Sequence, residues 1–583
     1  MRRKTKIICT IGPASESPEK LRALMRAGMN VARLNFSHGT HEEHAQRIRR
    51  IRGAAQELGL HIGIMLDTKG PEIRTGLLKD KTVFLESGDT FILTTRPVIG
   101  NQEQVQVTYS HLPQEVKAGD MILLSDGLLS LQVQSASDTD ITCKVMNGGV
   151  LGERKGVNIP GVRIELPFLS GQDKKDIIFG IEQKVDFIAA SFVRSAQDIL
   201  DLQSLLESYQ SDIEVIAKIE SQRGVENLEE IIQLTDGVMV ARGDLGVEVL
   251  PEEVPLVQRD IISRCSAAGK TVIVATQMLD SMIYNPRPTR AEISDVANAV
   301  FDGADAIMLS GETAAGKYPV EAAEMMHRIA AKAESSIPYN DRFRQRWSMK
   351  DMSLTDAISY ATCSTAIHMN LSTILTATRS GNTARMVAKY RPKAEIIAVT
   401  ASEPVCRRLS LVWGVEAVCS PFSSNLGQWM QDVMDTVLHQ GYIKPGDMVA
   451  ITAGEPNAGQ GGTNLFMVKT AGRILLEGRG IGHHPVSGRT CVVKNVQDVH
   501  KIQPGDIVVC VNAGPEIGRV LSKLSGLVAE TGGLTSDAAV MGIAAGIPVI
   551  TGVEKAVDVL NDDMEITLDP SLGRIYAGKV RVM

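Results

Sequence analysis

Large aromatic side chains are scarce in this chain: Phe, Tyr and Trp together make up 4% of 583 residues. Aliphatic packing must therefore dominate whatever cores it builds. The eight cysteines, Cys9, Cys143, Cys265, Cys363, Cys406, Cys419, Cys491 and Cys510, are scattered, and no two stand in a CxxC spacing. That argues against a zinc ribbon or a thioredoxin-type motif and fits a reducing cytoplasm, with most thiols buried as small apolar groups. No apolar run is long enough to span a bilayer. The basic start, MRRKTKIICTIG, has an apolar stretch too short for a secretory signal and runs straight into Gly-Pro. Positive charge is not in excess either: the net charge is −7, which argues against a general nucleic-acid or membrane binder. Tandem duplication and low-complexity segments are also missing.

A regular alternation is what the chain does have. Apolar, β-branched runs at 6–11, 30–35, 61–66, 186–191, 214–219, 237–241, 271–276 and 305–309 are separated by stretches with helical spacing, such as 18–27 and 41–58. Eight strands, each with a helix after it, form a (β/α)₈ barrel, an α/β fold. Between the third and fourth strands, residues 71–167 change texture to short alternating runs with turn signals such as SGD, AGD, SDG and NGG. That predicts an all-β insert. At 583 residues, three or four domains are expected. The barrel takes 1–70 and 168–337, and a second α/β region takes 338–472. A Gly- and Val-rich module takes 473–583. Within the second region, strands are expected at 373–377, 395–399 and 447–451, after a charged, turn-prone link NDRFRQRW.

The stretch from Glu214 to Gly246, EVIAKIE…GVMVARGDLG, organises the rest. It is a βαβ unit that leaves Lys218 and Glu220 at one strand end and Arg242, Gly243 and Asp244 at the next. In a barrel those carboxyl ends face the active site. Two hard carboxylates with few other protein donors suit Mg²⁺ or Mn²⁺. A lysine beside them suits an anion or a developing charge. Other strand ends are polar too. RLNFSHG carries Arg33, Asn35, Ser37 and His38; LDTKGPEIR carries Asp67, Thr68, Lys69, Glu72 and Arg74. ATQM carries Thr276, and LSGET carries Ser310 and Glu312. Ser37, Thr68 or Ser310 could each be a helix cap, but caps leave the arginines and lysines at the same ends unexplained.

These segments, with KIES and ARGDLG, closely resemble pyruvate kinase in order and in length. The likeness covers roughly the first four-fifths of the chain. It implies phosphoryl transfer from phosphoenolpyruvate to ADP, giving pyruvate and ATP. Glu220 and Asp244 would hold the divalent metal, and Lys218 would stabilise the transferring phosphoryl and the enolate. Arg33 and Arg74 would face phosphate oxygens, and Gly243 and Thr276 the substrate carboxylate. Thr276, Ser310 and Glu312 would relay a proton to the enolate. Asn35, Ser37, Asp67 and Thr68 match the family's K⁺ ligands. Glu72 stands where K⁺-dependent members carry an acid, so dependence on K⁺ is expected. The insert would act as a lid, with Lys155 joining Asn35, His38 and Arg74 at the nucleotide and Arg154 solvated beside it. Thr378, Ser380, Gly381, Asn382 and Thr383 lie at a strand-to-helix junction where the family binds a phosphorylated effector. A monophosphate such as AMP or a sugar phosphate is favoured over fructose 1,6-bisphosphate, with the loop GEPNAGQGGTN closing over it. A homotetramer is implied. TGGLTSDAAVMGIAAGIPVI resembles the mobile phosphohistidine domain of phosphoenolpyruvate-utilising enzymes, with Asp537 where that family has histidine. A tail without phosphoryl transfer is therefore expected, with His483 and His484 exposed. The alternatives are a metal-dependent lyase acting on pyruvate enolate and a non-catalytic sensor of sugar phosphate or nucleotide. Neither uses all of these features.

Overall fold

A computed structural model describes residues 2–346, 352–421, 426–454 and 462–580. The chain forms two compact units, residues 1–346 with 402–417 and residues 347–401 with 418–583.

The first unit is built on a closed barrel of eight parallel strands. They are β1 (Lys6–Thr10), β2 (Val31–Asn35), β3 (Gly63–Asp67), β4 (Phe187–Ala190), β5 (Glu214–Ile219), β6 (Gly237–Ala241), β7 (Thr271–Ala275) and β8 (Ala306–Leu309). Each pairs with its sequence neighbours, and β1 closes on β8 with Lys6 opposite Ala306 and Cys9 opposite Leu309. Strands covered on both faces read as continuous apolar runs. β1, β3, β6 and β7 are accordingly buried at every position. Ile8, Met65, Phe187, Ile216, Met239 and Met308 fill the interior. A larger cluster between strands and outer helices includes Leu34, Ile51, Ile188, Ile231, Ile261 and Met326.

The outer helices start on local signals. Helix His41–Leu58 opens on a reciprocal capping box between Thr40 and Glu43 and stops at Gly59, at φ 64°. Ser170 with Asp173, and Thr289 with Glu292, make the same box for helices Gly171–Glu182 and Arg290–Asp302. At the barrel's amino-terminal end, Asp186 is 2% exposed at its side chain and sits between Arg52 Nη2 at 2.7 Å and Arg407 Nε at 2.8 Å. It also accepts from the Ile64 N–H at 2.8 Å. Asp186→Ala takes the carboxylate from Arg52, leaves Arg407 only its 3.4 Å pair with Glu403, and strips a buried N–H of its acceptor. The expected loss is about 3 kcal/mol of barrel stability, read as a lower urea midpoint.

The insert carries a six-stranded sheet in the order Val157–Asn158, Met121–Leu124, Leu129–Ala136, Asp140–Asn147, Thr90–Thr94 and Gln104–Gln106. A separate pair joins Thr82–Leu85 to Gly149–Gly152. It is not purely β, since Leu112–Glu115 forms one helical turn with Pro113 in its first positions, where a missing N–H costs nothing. The segment expected as a turn-prone link is also helical, from Tyr339 to Arg346. Tyr339 and Phe343, one turn apart, are both buried and give it an apolar stripe.

In the second unit, one sheet orders Glu395–Thr400, Thr373–Ala377, Met448–Ala453 and Leu465–Thr470, the last antiparallel. Another, of eight strands, is mixed: Val486–Val493, Ile507–Cys510, Gly526–Ala529 and Val549–Thr551 run parallel, with antiparallel strands beside them. Among the described residues no helix is long and apolar enough to cross a membrane.

Candidate active site

The carboxyl ends of β2 to β8 deliver most of the polar residues singled out above. Lys218, the next-to-last residue of β5, is 8% exposed and has three partners for its ammonium. It donates to Ser191 Oγ at 2.6 Å and Asp67 Oδ1 at 3.1 Å, and lies 3.0 Å from Glu220 Oε1. Asp67, at the end of β3, accepts from Arg33 Nε at 2.6 Å through its other oxygen. Arg33 Nη1 donates to Thr10 Oγ1 at 2.9 Å, which leaves Nη2 for something else. Glu220 Oε2 accepts the Phe192 N–H at 2.6 Å. Phe192 has φ 55°, a left-handed conformation that a side chain adopts only under constraint.

Burial and charge compete here. Burial pulls the Lys218 ammonium down, but Asp67 and Glu220 outweigh it and hold it above its ordinary range. Burial pushes the Asp67 carboxyl up, yet Arg33 and Lys218 bring it below the usual carboxylate range. Glu220 goes the other way: burial raises it, Lys218 opposes, and Asp244 adds repulsion. Asp244 is raised for the same first reason. A carboxyl raised on folding binds its proton more tightly in the native state. Metal-free protein should therefore lose stability as pH rises from the ordinary glutamate value of 4.5 through the raised value of the folded state. Within that window each step of one in pH costs on the order of 1 kcal/mol. Urea unfolding in chelator should fall between about pH 5 and pH 7.5 in the wild type and stay flatter in Glu220→Gln.

The loops after β6 to β8 are tied together. Gly243 N–H donates to Thr276 Oγ1 at 2.8 Å, and that hydroxyl donates to the Ala275 carbonyl at 2.6 Å. Thr276 and Gln277 both have positive φ, 67° and 54°. Arg242 leaves the mouth for Asp295, at 2.6 Å. Glu312 is 1% exposed and accepts the N–H groups of Leu279 at 3.0 Å and Ser310 at 2.7 Å. Burial raises its carboxyl. Ser310 Oγ is buried with no hydrogen-bond partner among the described residues and caps nothing. Ser37 is no cap either, since Thr40 does that work, and its N–H donates to Asn35 Oδ1 at 3.0 Å. Thr68 Oγ1 accepts the Ser191 N–H at 3.1 Å. His38 is exposed, and its carbonyl is 2.9 Å from His44 Nε2. Glu72 pairs with Arg74 at 2.7 Å, Arg74 Nη1 donates to the Arg154 carbonyl at 2.9 Å, and Lys155 and Lys69 are exposed. A cavity of about 660 Å³ separates insert from barrel, with Glu72, Arg74, Lys155, Phe192 and Asp244 on its walls.

Matches to family descriptions agree with this geometry. The barrel domain of pyruvate kinase matches residues 2–323, its alpha/beta domain 356–469, and the mobile domain of PEP-utilising enzymes 502–573. A pyruvate kinase of Geobacillus stearothermophilus is 50% identical over 587 aligned residues, covering all of both chains. The chain belongs to the pyruvate kinase family. A pyruvate kinase of Bacillus licheniformis is also 50% identical over the full length of both. A crystal structure of a pyruvate kinase from Cryptosporidium parvum superposes with a TM-score of 0.76 at 41% identity, over 80% of this chain and 96% of that one.

Two residues carry no mark in the sequence pattern. Ser191 stands at the end of β4 and Thr10 at the end of β1, the two strand ends where no polar candidate was singled out. Position was the available signal: a hydroxyl directly after a buried run, as in ATQM. In the second unit, Gly381 N–H donates to Thr378 Oγ1 at 2.9 Å, and Thr383 Oγ1 meets Thr463 Oγ1 at 2.9 Å. Ser380 is exposed, and Asn382 opens helix Asn382–Lys389. Most of the loop GEPNAGQGGTN, residues 455–461, lies outside the described residues. Asp537 is exposed in the first turn of helix Asp537–Ala545, and His483 and His484 are exposed.

Proposed function

We propose that this chain transfers the phosphoryl group of phosphoenolpyruvate to ADP at the mouth of its barrel, yielding pyruvate and ATP. One observation carries the reading. Lys218 is held as a cation between Asp67 and Glu220 beside Arg33, in a chain half identical to pyruvate kinases along its whole length. Phosphoryl transfer is chiefly a matter of positioning and charge neutralisation. Lys218 supplies a positive charge where the phosphoryl leaves and the enolate forms. Arg33 offers its remaining Nη2, and Arg74 its guanidinium, to phosphate oxygens. The Gly243 N–H and Thr276 hydroxyl receive the substrate carboxylate, and Thr276, Ser310 and Glu312 pass a proton to the enolate carbon. Asn35, His38, Arg74 and Lys155 take the nucleotide as the insert, acting as a lid, closes and excludes water.

Glu220 and Asp244 fit a divalent cation: two largely buried carboxylates, each raised by burial, lie close enough to repel one another. Mg²⁺ or Mn²⁺ held there would neutralise charge on the phosphoryl and enolate oxygens. Asn35, Ser37, Asp67 and Thr68 offer only oxygen and would hold K⁺, with Glu72 nearby. The division into barrel (1–70, 168–337), lid (71–167), regulatory domain (338–472) and extra module (473–583) accompanies this reading. So do a cytoplasmic homotetramer and activation by AMP or a sugar monophosphate at Thr378–Thr383. The C-terminal module transfers no phosphate, because a carboxylate at Asp537 would not run the reversible chemistry of an imidazole nitrogen without a new active site around it. The assay is pyruvate release from phosphoenolpyruvate with Mg²⁺, with and without ADP. Release that needs ADP supports the reading; none, even with AMP or ribose 5-phosphate added, overturns it.

A further inference from the structure

The corner that follows β4 has no role in the proposed reaction. It consists of Ser191, 2% exposed, and Phe192. The hydroxyl of Ser191 has one proton to give. At 2.7 Å the Thr68 carbonyl is its nearest acceptor, with Asp67 Oδ1 farther off at 3.2 Å. Its lone pair therefore receives the Lys218 ammonium, at 2.6 Å the shortest of that group's three contacts. The next residue, held at φ 55°, turns its N–H onto Glu220 Oε2 at 2.6 Å. One two-residue corner thus fixes the Lys218 ammonium through a side chain and the Glu220 carboxylate through the backbone. It has little room to move: a Cβ on Gly70 would lie 2.8 Å from Ser191 Cβ and 3.1 Å from a ring carbon of Phe192.

We propose that Ser191 is a positioning residue for the phosphoryl-transfer step, fixing where the Lys218 ammonium sits while it contacts Asp67 Oδ1 at 3.1 Å and Glu220 Oε1 at 3.0 Å. This rests on the role given to Lys218 above. Without the hydroxyl, the ammonium loses its shortest contact and shifts further toward Asp67 and Glu220, and the Thr68 carbonyl loses its donor. Displacement of about 1 Å at a reacting group costs on the order of a hundredfold. Ser191→Ala should therefore lower kcat about 10- to 100-fold and change KM for phosphoenolpyruvate less than about threefold. Ser191→Cys, similar in shape and a weak hydrogen-bonding group, should fall between Ala and wild type.

A double-mutant cycle with Lys218→Met decides the matter. If Ser191 acts through Lys218, Ser191→Ala has almost no further effect on kcat once Lys218 is gone. The same fold-loss in both backgrounds, or a kcat for Ser191→Ala within threefold of wild type, would overturn the proposal. A kcat for Ser191→Cys as low as that of Ser191→Ala, with melting lowered alike, would also overturn it, by assigning the residue to packing. Should Lys218→Met itself turn over normally, the failure lies with the role of Lys218.

Discussion

Lys218→Met is expected to lower kcat about 10²- to 10³-fold, with KM for phosphoenolpyruvate little altered. The ammonium faces charge that grows as the phosphoryl leaves, so its contribution is larger in the transition state than in the bound substrate. Arg33 keeps its own anchors, Asp67 Oδ2 and Thr10 Oγ1, and goes on receiving phosphate. The substitution also leaves Asp67 and Glu220, each 1% exposed, with one cation fewer. Melting should drop in metal-free protein and recover with Mg²⁺. Coupled assay of pyruvate release at saturating ADP and Mg²⁺ gives the rate. A kcat within tenfold of wild type would remove Lys218 from the chemistry.

Replacing K⁺ with tetramethylammonium should lower turnover about 100-fold, the scale of losing one electrostatic contact in a desolvated site. Three of the residues assigned to that ion already have oxygens in use. Asp67 serves Arg33 and Lys218, the Thr68 carbonyl serves Ser191, and Asn35 Oδ1 serves the Ser37 N–H. An ion there would share Asp67 with both cations and so reach the machinery around Lys218. Glu72→Lys should recover part of the rate without K⁺ by bringing a fixed positive charge. The recovery should be incomplete, because Arg74 loses its 2.7 Å partner. Turnover indifferent to the monovalent ion would sink this assignment and leave the kinase reading standing.

The barrel was legible because its strands are covered on both faces. Such strands read as unbroken β-branched runs, and each observed boundary falls within two residues of its expected one, as at Glu214–Ile219 and Gly237–Ala241. Strands with partial cover are harder to see. Leu465–Thr470 is nowhere fully buried and has no clear signature, and Val415–Cys419 buries only Val415 and Val418 of its five residues. Tyr339–Arg346 misleads because six of its eight residues are polar or charged, and only burial of Tyr339 and Phe343 marks a helix. The carboxylates and the lysine of the mouth announce themselves by residue type. Ser191 does not, because a serine after a strand is common and its weight comes from Lys218, 27 positions later. The left-handed turns at Phe192 and Thr276 have no glycine to mark them.

Barrel closure carries a cost during synthesis. Thr10 Oγ1 bonds the Leu309 carbonyl across 299 positions, and β1 finds its second neighbour only in β8. At roughly 5–20 residues per second, a ribosome needs about 15–60 s to bridge that gap. Throughout it, β1 presents an apolar, hydrogen-bond-hungry edge to its surroundings. Nascent chains stopped before residue 306 should therefore aggregate or occupy chaperones, whereas those that have cleared the exit tunnel past residue 310 can seal the ring.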